Sequence, residues 1–288
     1  MFQLQIEQCH RDEIESLSDA LDETGALSIT LTDQYDDPIL EPAPGAAPLW
    51  ANVVVNALYA EENEAHLAIA MLSGTFAHLS YSIHELPEQD WERTCLDQFK
   101  PQQFGTRLWV CPSWLTPPEP DAVNLILDPG LAFGTGSHAT TSLCLTWLDK
   151  ADLTNKQMID YGCGSGILAL AALKLGAQHV NAVDIDEQAL LATQDNASNN
   201  NIDSTRLTVG QPETLVKPVD MVIANILLAP LMELKSRFHA LLNENGTLVV
   251  SGLLAEQVPA LIETYQADFM HVATNIENDW ALVVFTVR

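Results

Sequence analysis

The stretch DYGCGSGILALAALKLGA, from Asp160 to Ala177, constrains the fold more than any other part of the chain. It reads as a buried strand, a glycine-rich turn and then a helix. Glycines at such a junction allow a turn too tight for side chains and let a small ligand approach the backbone. The same alternation runs from about Asp121 to the end: AVNLILD, SHATTSLCLTWLDK, KQMIDY, GILALAALKLG, HVNAVDI, DEQALLATQDNASNN, RLTVG, VDMVIAN, LLAPLMELKSRFHALL, GTLVVSG, AEQVPALIETYQ, FMHVATNIE and WALVVFTV. Apolar strands alternating with helices specify a mainly parallel sheet covered on both faces, with ligands at the carboxyl ends of the strands. The last two strands are joined only by a short turn around Glu277, Asn278 and Asp279, so the sheet should finish in an antiparallel hairpin.

The turn itself narrows the ligand. A dinucleotide fingerprint, G-x-G-x-x-G, would need a third glycine where Ile167 stands, so Gly162, Gly164 and Gly166 match it only in part. The next strand ends in NAVDID, which places Asp184 at its tip. A carboxylate there can accept hydrogen bonds from both ribose hydroxyls, and the ligand is read as a nucleoside.

The first ninety residues follow another order. FQLQIE alternates at period two. RDEIESLSDALDETG sets Ile14, Leu17, Ala20 and Leu21 on one helical face and stops at Gly25. ALSITLTD is a strand, EPAPGAAP (Glu41 to Pro48) a loop, WANVVVNALYA a strand, EENEAHLAIAMLSG a helix and SYSIHEL a final strand. The order β-α-β-β-α-β is that of a small α+β ferredoxin-like domain. RNA-binding modules also use this arrangement, but they need basic and aromatic strings on the sheet that this segment lacks. The stretch from roughly Asp90 to Pro120, rich in proline and aromatics, reads as a linker whose front part, Trp91 to Phe99, is a candidate short helix. The expected organisation is therefore a domain over 1–92, a linker over 93–120 and an α/β, doubly wound Rossmann-like domain over 121–288.

Charge excludes some functions. The chain has 12 Lys and Arg against 39 Asp and Glu, a net of −27, which opposes direct binding of nucleic acid through its phosphates. Residues 1–93 carry 18 acidic and two basic side chains, a net of −16. That imbalance would attract a basic partner at low ionic strength. A proteome-wide acidic bias is the other reading, and both stay open. The five cysteines are widely spaced and the eight histidines scattered, so neither a disulfide framework nor a metal site is expected. There is no apolar run of membrane length and no signal-peptide pattern at the start, which points to a cytoplasmic protein without membrane contact.

With Asp160, Gly162, Gly164 and Gly166 in the form D-x-G-x-G-x-G, the sequence resembles the S-adenosyl-L-methionine-dependent methyltransferases of the doubly wound class. Asp160 then faces the cationic amino end of the methionine or, alternatively, only stabilises the turn. VIANILLAP places Asn225 at the end of the fourth strand of the parallel set, where amino-group methyltransferases carry an Asn or Asp motif; NILL departs from the N-P-P-Y form. The Asn225 side-chain oxygen and the Ile226 carbonyl are expected to accept the hydrogens of the attacking amine; the bland alternative is that Asn225 caps the next helix.

DPGLAFGTGSHATTSLCLTWLD, from Asp128 to Asp149, is similar to the signature of the ribosomal protein L11 methyltransferase family, and the likeness extends through RLWVCPSW, VDIDEQAL and NILLAPL to essentially the whole chain. The resemblance implies a protein-lysine N-methyltransferase acting on lysine ε-amines and the N-terminal α-amine of L11. It implies cofactor binding by Thr141, Gly162, Gly164, Asp184 and Asn225, with the loop bearing Phe133 and His138 closing over the ligand, and Asn225 as the catalytic residue. His138 and Thr140 also suit ordinary helix capping. The implied partner is a basic ribosomal protein held through the acidic N-terminal domain, and a monomer is expected. The rivals are a related methyltransferase with another acceptor and a nonenzymatic nucleotide-binding module.

Overall fold

The structure, a computed structural model, describes residues 1–35, 37, 39, 47–87, 99–128 and 138–288. The chain forms two compact units, Met1–Thr94 and Cys95–Arg288.

The first unit runs β1 (Phe2–His10), α1 (Ile14–Glu23), β2 (Ser28–Asp33), β3 (Asn52–Tyr59), α2 (Glu62–Leu72) and β4 (Ser80–Glu85). Its strands are antiparallel in the order β2-β3-β1-β4. The helix α1 buries Ile14, Leu17 and Leu21, one stripe at helical spacing, against Leu4, Ile6, Val53 and Val55 of the sheet. On the other face of the sheet β1 sets the polar Gln3, Gln5 and Glu7 and β3 sets Asn52 and Asn56 beside Val54 and Leu58, and Gln3 Nε2 donates to Asn56 Oδ1 at 2.7 Å. Of the loop expected from Glu41 to Pro48, residues 41–46 lie outside the described set.

The second unit begins with β5 (Gln102–Phe104), β6 (Leu108–Cys111) and β7 (Val123–Ile126), a small sheet in which β6 pairs antiparallel with β5 and parallel with β7. This corrects the linker reading of 93–120. Phe104, Leu108 and Val110 are buried in the same core as Leu145 and Met158. Strands of three and four residues are too short for a period-two pattern to stand out among prolines and aromatics. The short helix expected from Trp91 to Phe99 lies, Phe99 apart, outside the described residues.

There follow α3 (Ala139–Lys150), β8 (Gln157–Tyr161), α4 (Ile167–Lys174), β9 (His179–Val183), α5 (Glu187–Asn199), β10 (Leu207–Gly210) and β11 (Val219–Asn225). Then come α6 (Leu228–Ala240), β12 (Leu242–Leu254), α7 (Val258–Tyr265), β13 (Phe269–Glu277) and β14 (Trp280–Val287). The main sheet has the order β10-β9-β8-β11-β12-β14-β13. Its first five strands are parallel, and β14 runs antiparallel to both neighbours, which is the expected terminal hairpin. Along β11, Met221 and Ile223 enter the core beneath α3 and α4, while Val222 and Ala224 enter the core with Phe238 of α6 and Tyr265 of α7. Strands covered on both faces need continuous apolar runs rather than alternation, as the sequence shows. Strand order reverses at β8, whose neighbours β9 and β11 lead away in opposite directions, so a crevice opens at its carboxyl end.

The small sheet is pinned to α3 by one buried carboxylate. Asp149, 2 % exposed, accepts from Thr106 N at 2.7 Å, Thr106 Oγ1 at 3.2 Å and Arg107 N at 3.1 Å, and the Arg107 guanidinium also bonds to the Asp149 carbonyl. Removing it strands two backbone donors. Asp149→Ala should therefore lower the unfolding free energy by about 3 kcal/mol in urea titration; a loss below about 0.5 kcal/mol would show that this turn does not depend on the carboxylate.

Candidate active site

The turn after β8 is held from two sides. Gly162 N and Cys163 N donate to Val183 O at the end of β9, at 2.8 and 3.0 Å. From α5, Thr193 Oγ1 donates to Gly164 O at 3.1 Å and Asn196 Nδ2 to Ser165 O at 2.9 Å. Gly162 has φ +78, and a Cβ there would stand 2.5 Å from Ile226 Cγ2, so a side chain is excluded. Thr193 and Asn196 did not emerge from the sequence. Their one signal is polar residues three apart on an inward-facing helix surface, where apolar ones are expected.

Asp184 follows β9 directly. Its Oδ2 accepts from Gly164 N at 2.9 Å and its Oδ1 from Asp186 N at 3.0 Å. A carboxylate has about four acceptor positions, so each oxygen retains capacity for one hydroxyl of a sugar diol. Beside it Ile185 is 84 % exposed, and with Pro212 it offers an apolar wall to a flat base. Thr141, Gly162, Gly164, Asp184 and Asn225, five of the expected residues, line one cleft of about 460 Å³. No Lys or Arg is among the described residues lining it, which suits a nucleoside without phosphates.

Asn225 ends β11, and its Nδ2 donates to Thr141 Oγ1 at 3.4 Å, which leaves the amide oxygen as the acceptor. It does not cap α6: the capping position is Leu227, and no side chain bonds there. His138, by contrast, does cap α3, with Nδ1 accepting from Thr140 N at 3.3 Å, and its ring meets Trp280 edge-on at 4.8 Å. It is placed at the start of the helix that carries Thr141 and is not among the residues lining the cleft. Phe133 lies outside the described residues.

Asp160 sits under the turn with no exposed surface. Its Oδ2 accepts from Ala169 N at 2.9 Å, in the first turn of α4, as a turn-stabilising carboxylate would. Its Oδ1 is buried without a partner among the described residues. Burial, reinforced by the Asp184 charge and opposed by the Ala169 hydrogen bond, pushes its pKa up to about 7. An orphaned buried carboxylate oxygen fits a ligand that brings a cation, as the methionyl amino group of S-adenosylmethionine does.

This predicts a pH effect. The unfolded chain releases the Asp160 proton near pH 3.8 and the folded chain near 7, so folded stability falls as pH rises through that window, and the penalty is complete above it. Ligand-free Asp160→Asn should melt at a higher temperature than the parent at pH 8, with the gap closing toward pH 4. A gap independent of pH would contradict the buried-charge assignment.

Comparison with known proteins places this geometry. The family model described as ribosomal protein L11 methyltransferase matches residues 1–288. A ribosomal protein L11 methyltransferase of Legionella pneumophila (strain Lens) is 60% identical over 287 residues, covering 100% of this chain and 99% of the relative. One from Nitrosococcus oceani is 47% identical over 286 residues, covering 98% and 97%. Among solved structures, the ribosomal protein L11 methylase of Lactobacillus delbrueckii subsp. bulgaricus superposes with a TM-score of 0.61 at 30% identity, over 66% of this chain and 100% of that one. With a match that runs the length of the sequence and relatives of this identity, the chain belongs to the ribosomal protein L11 methyltransferase family.

Proposed function

We propose that this protein transfers methyl groups from S-adenosyl-L-methionine to ribosomal protein L11, with lysine ε-amines and the N-terminal α-amine as acceptors. The observation that carries this reading is the meeting, in one cleft with no Lys or Arg among its described lining residues, of the ribose-type carboxylate Asp184 with the neutral acceptor pair Asn225 and Ile226. The cofactor, when bound, supplies an electrophilic methyl on a sulfonium. Thr141, Gly162, Gly164, Asp184 and Asn225 are assigned to hold it, with Phe133 and His138 as further assigned cofactor contacts.

The attacking nitrogen needs its lone pair aimed at the methyl, and aiming is most of the catalysis. The Asn225 Oδ1 and the Ile226 carbonyl accept the amine hydrogens and so fix its direction. Both are uncharged, so neither favours the ammonium form, which has no lone pair to donate. Thr141 fixes which end of the Asn225 amide faces the cleft. The apolar walls strip water from the amine, and its proton leaves to solvent beforehand; no side chain is assigned as a general base.

The first unit is assigned to recognition of the basic acceptor protein. Its charge supports this: α1 and the turn before it carry Asp12, Glu13, Glu15, Asp19, Asp22 and Glu23. In this reading the protein works as a monomer in the cytoplasm.

Tritium transfer from labelled cofactor to purified large-subunit ribosomal proteins tests the proposal: label should appear in L11, and label confined to another species would remove it. The KM for L11 should rise steeply between low salt and 0.5 M salt while the KM for cofactor barely moves; equal salt responses would point to a general acidic bias instead. Asp184→Ala should weaken cofactor binding at least about 10-fold with the fold retained, and normal affinity would contradict the ribose role. Asn225→Ala should cost about 100-fold in kcat; an unchanged kcat would remove it from the chemistry.

A further inference from the structure

We infer that Gly252 is a positioning residue for the methyl acceptor: its left-handed backbone forms a bulge that seats the Ile226 peptide, and so sets where Asn225 and the Ile226 carbonyl meet the incoming nitrogen. The inference rests on the acceptor role proposed above. Gly252 itself is not among the residues lining the cleft.

Asn225 is in register with Ser251 across β11 and β12, and Ile226 N donates to Ser251 O at 3.1 Å. The chain must then leave the sheet and enter α6 at Leu228, two residues on. On the far side of β12, Ser251 is opposite Leu282 and Leu253 opposite Ala281, which leaves Gly252 without a counterpart. An extra residue with positive φ, here +88, is the glycine type of β-bulge, a device that re-aims a strand end beside a site. Ser251 Oγ, fully buried, donates to Ala281 O at 2.8 Å and anchors the bulge from that side.

The bulge brings Gly252 against the Ile226 backbone. A Cβ at 252 would stand 2.4 Å from Ile226 O, 2.7 Å from its carbonyl carbon and 2.9 Å from its N. These are peptide atoms and cannot rotate aside as a side chain would. On its other side Ile226 is confined as well, since its Cγ2 lies over Gly162 of the cofactor turn. Ile226 is thus gripped between two glycines, one under each half of the site. Any side chain at 252 must push the Ile226 carbonyl, and Asn225 with it, relative to the turn that holds the cofactor. A displacement of about 1 Å at such a point is enough to cost about 100-fold in rate.

Gly176 provides the control: its φ is +117, yet a Cβ there would meet nothing within 4 Å. Gly252→Ala and Gly176→Ala therefore impose comparable backbone strain, and only the first displaces Ile226. We would measure melting temperature, calorimetric affinity for S-adenosylhomocysteine, and kcat and KM with L11 as acceptor. Gly252→Ala should lose about 100-fold in kcat while its affinity for the cofactor product changes less than about 10-fold, because Asp184 and Gly164 are untouched. Gly176→Ala should melt lower yet keep its kcat. A kcat for Gly252→Ala near that of the parent, or equal losses in both variants, would overturn the inference. Should Gly252→Ala not fold, Ser251→Ala decides, because it loosens the bulge without placing an atom against Ile226: a kcat reduced about 10-fold upholds the positioning role, and an unchanged kcat overturns it. If the parent protein itself fails to methylate L11, the proposed function falls; if the parent is active and the variants match it, only this inference falls.

Discussion

The hydrogen bond from Gly164 N to the Asp184 carboxylate is the interaction on which the site depends. Three glycines in five residues make the turn after β8 the least self-determined part of the chain, and its shape must be imposed from outside. Asp184 imposes it from the end of β9, Val183 O takes two more amides, and Thr193 and Asn196 hold it from α5. The same carboxylate keeps acceptor positions for a ligand, so under the proposed ribose role building the turn and binding a sugar would be two uses of one side chain. The location follows from topology, since only at β8 do neighbouring strands part and leave room at their carboxyl ends.

The cleft is negatively charged. Asp184 and Glu233 line it and the buried Asp160 lies under its glycine turn, with no positive side chain among the described lining residues to offset them. Such a pocket disfavours phosphates and suits a ligand carrying its own positive charge. Asn225 and the Ile226 peptide add uncharged acceptors to the same lining.

Much of this was legible in the sequence, for identifiable reasons. The doubly covered parallel sheet showed itself as unbroken apolar runs such as VDMVIAN, and the terminal hairpin as a turn too short for a crossover. Ile14, Leu17 and Leu21 marked the buried face of α1 by spacing alone. Asp184 and Asn225 could be placed at strand ends because each closes an apolar run. What stayed hidden depends on residues far apart in the chain. Phe104, Leu108 and Val110 fall on strands too short to show a period, and only their burial against α3 distinguishes them from linker. Thr193 is a polar residue on a helix until Gly164 is brought beside it. In the sequence Gly252 closes an ordinary apolar run, GTLVVSG, and nothing local says that the Ile226 peptide will press against it.

The most direct test of the account is a crystal structure of the protein with S-adenosylhomocysteine at saturating concentration. The account predicts the ribose hydroxyls within hydrogen-bonding distance of both Asp184 carboxylate oxygens, the amino group near Asp160 and the sulfur toward Asn225. A ligand seated elsewhere, or a cleft left empty at that concentration, would contradict it.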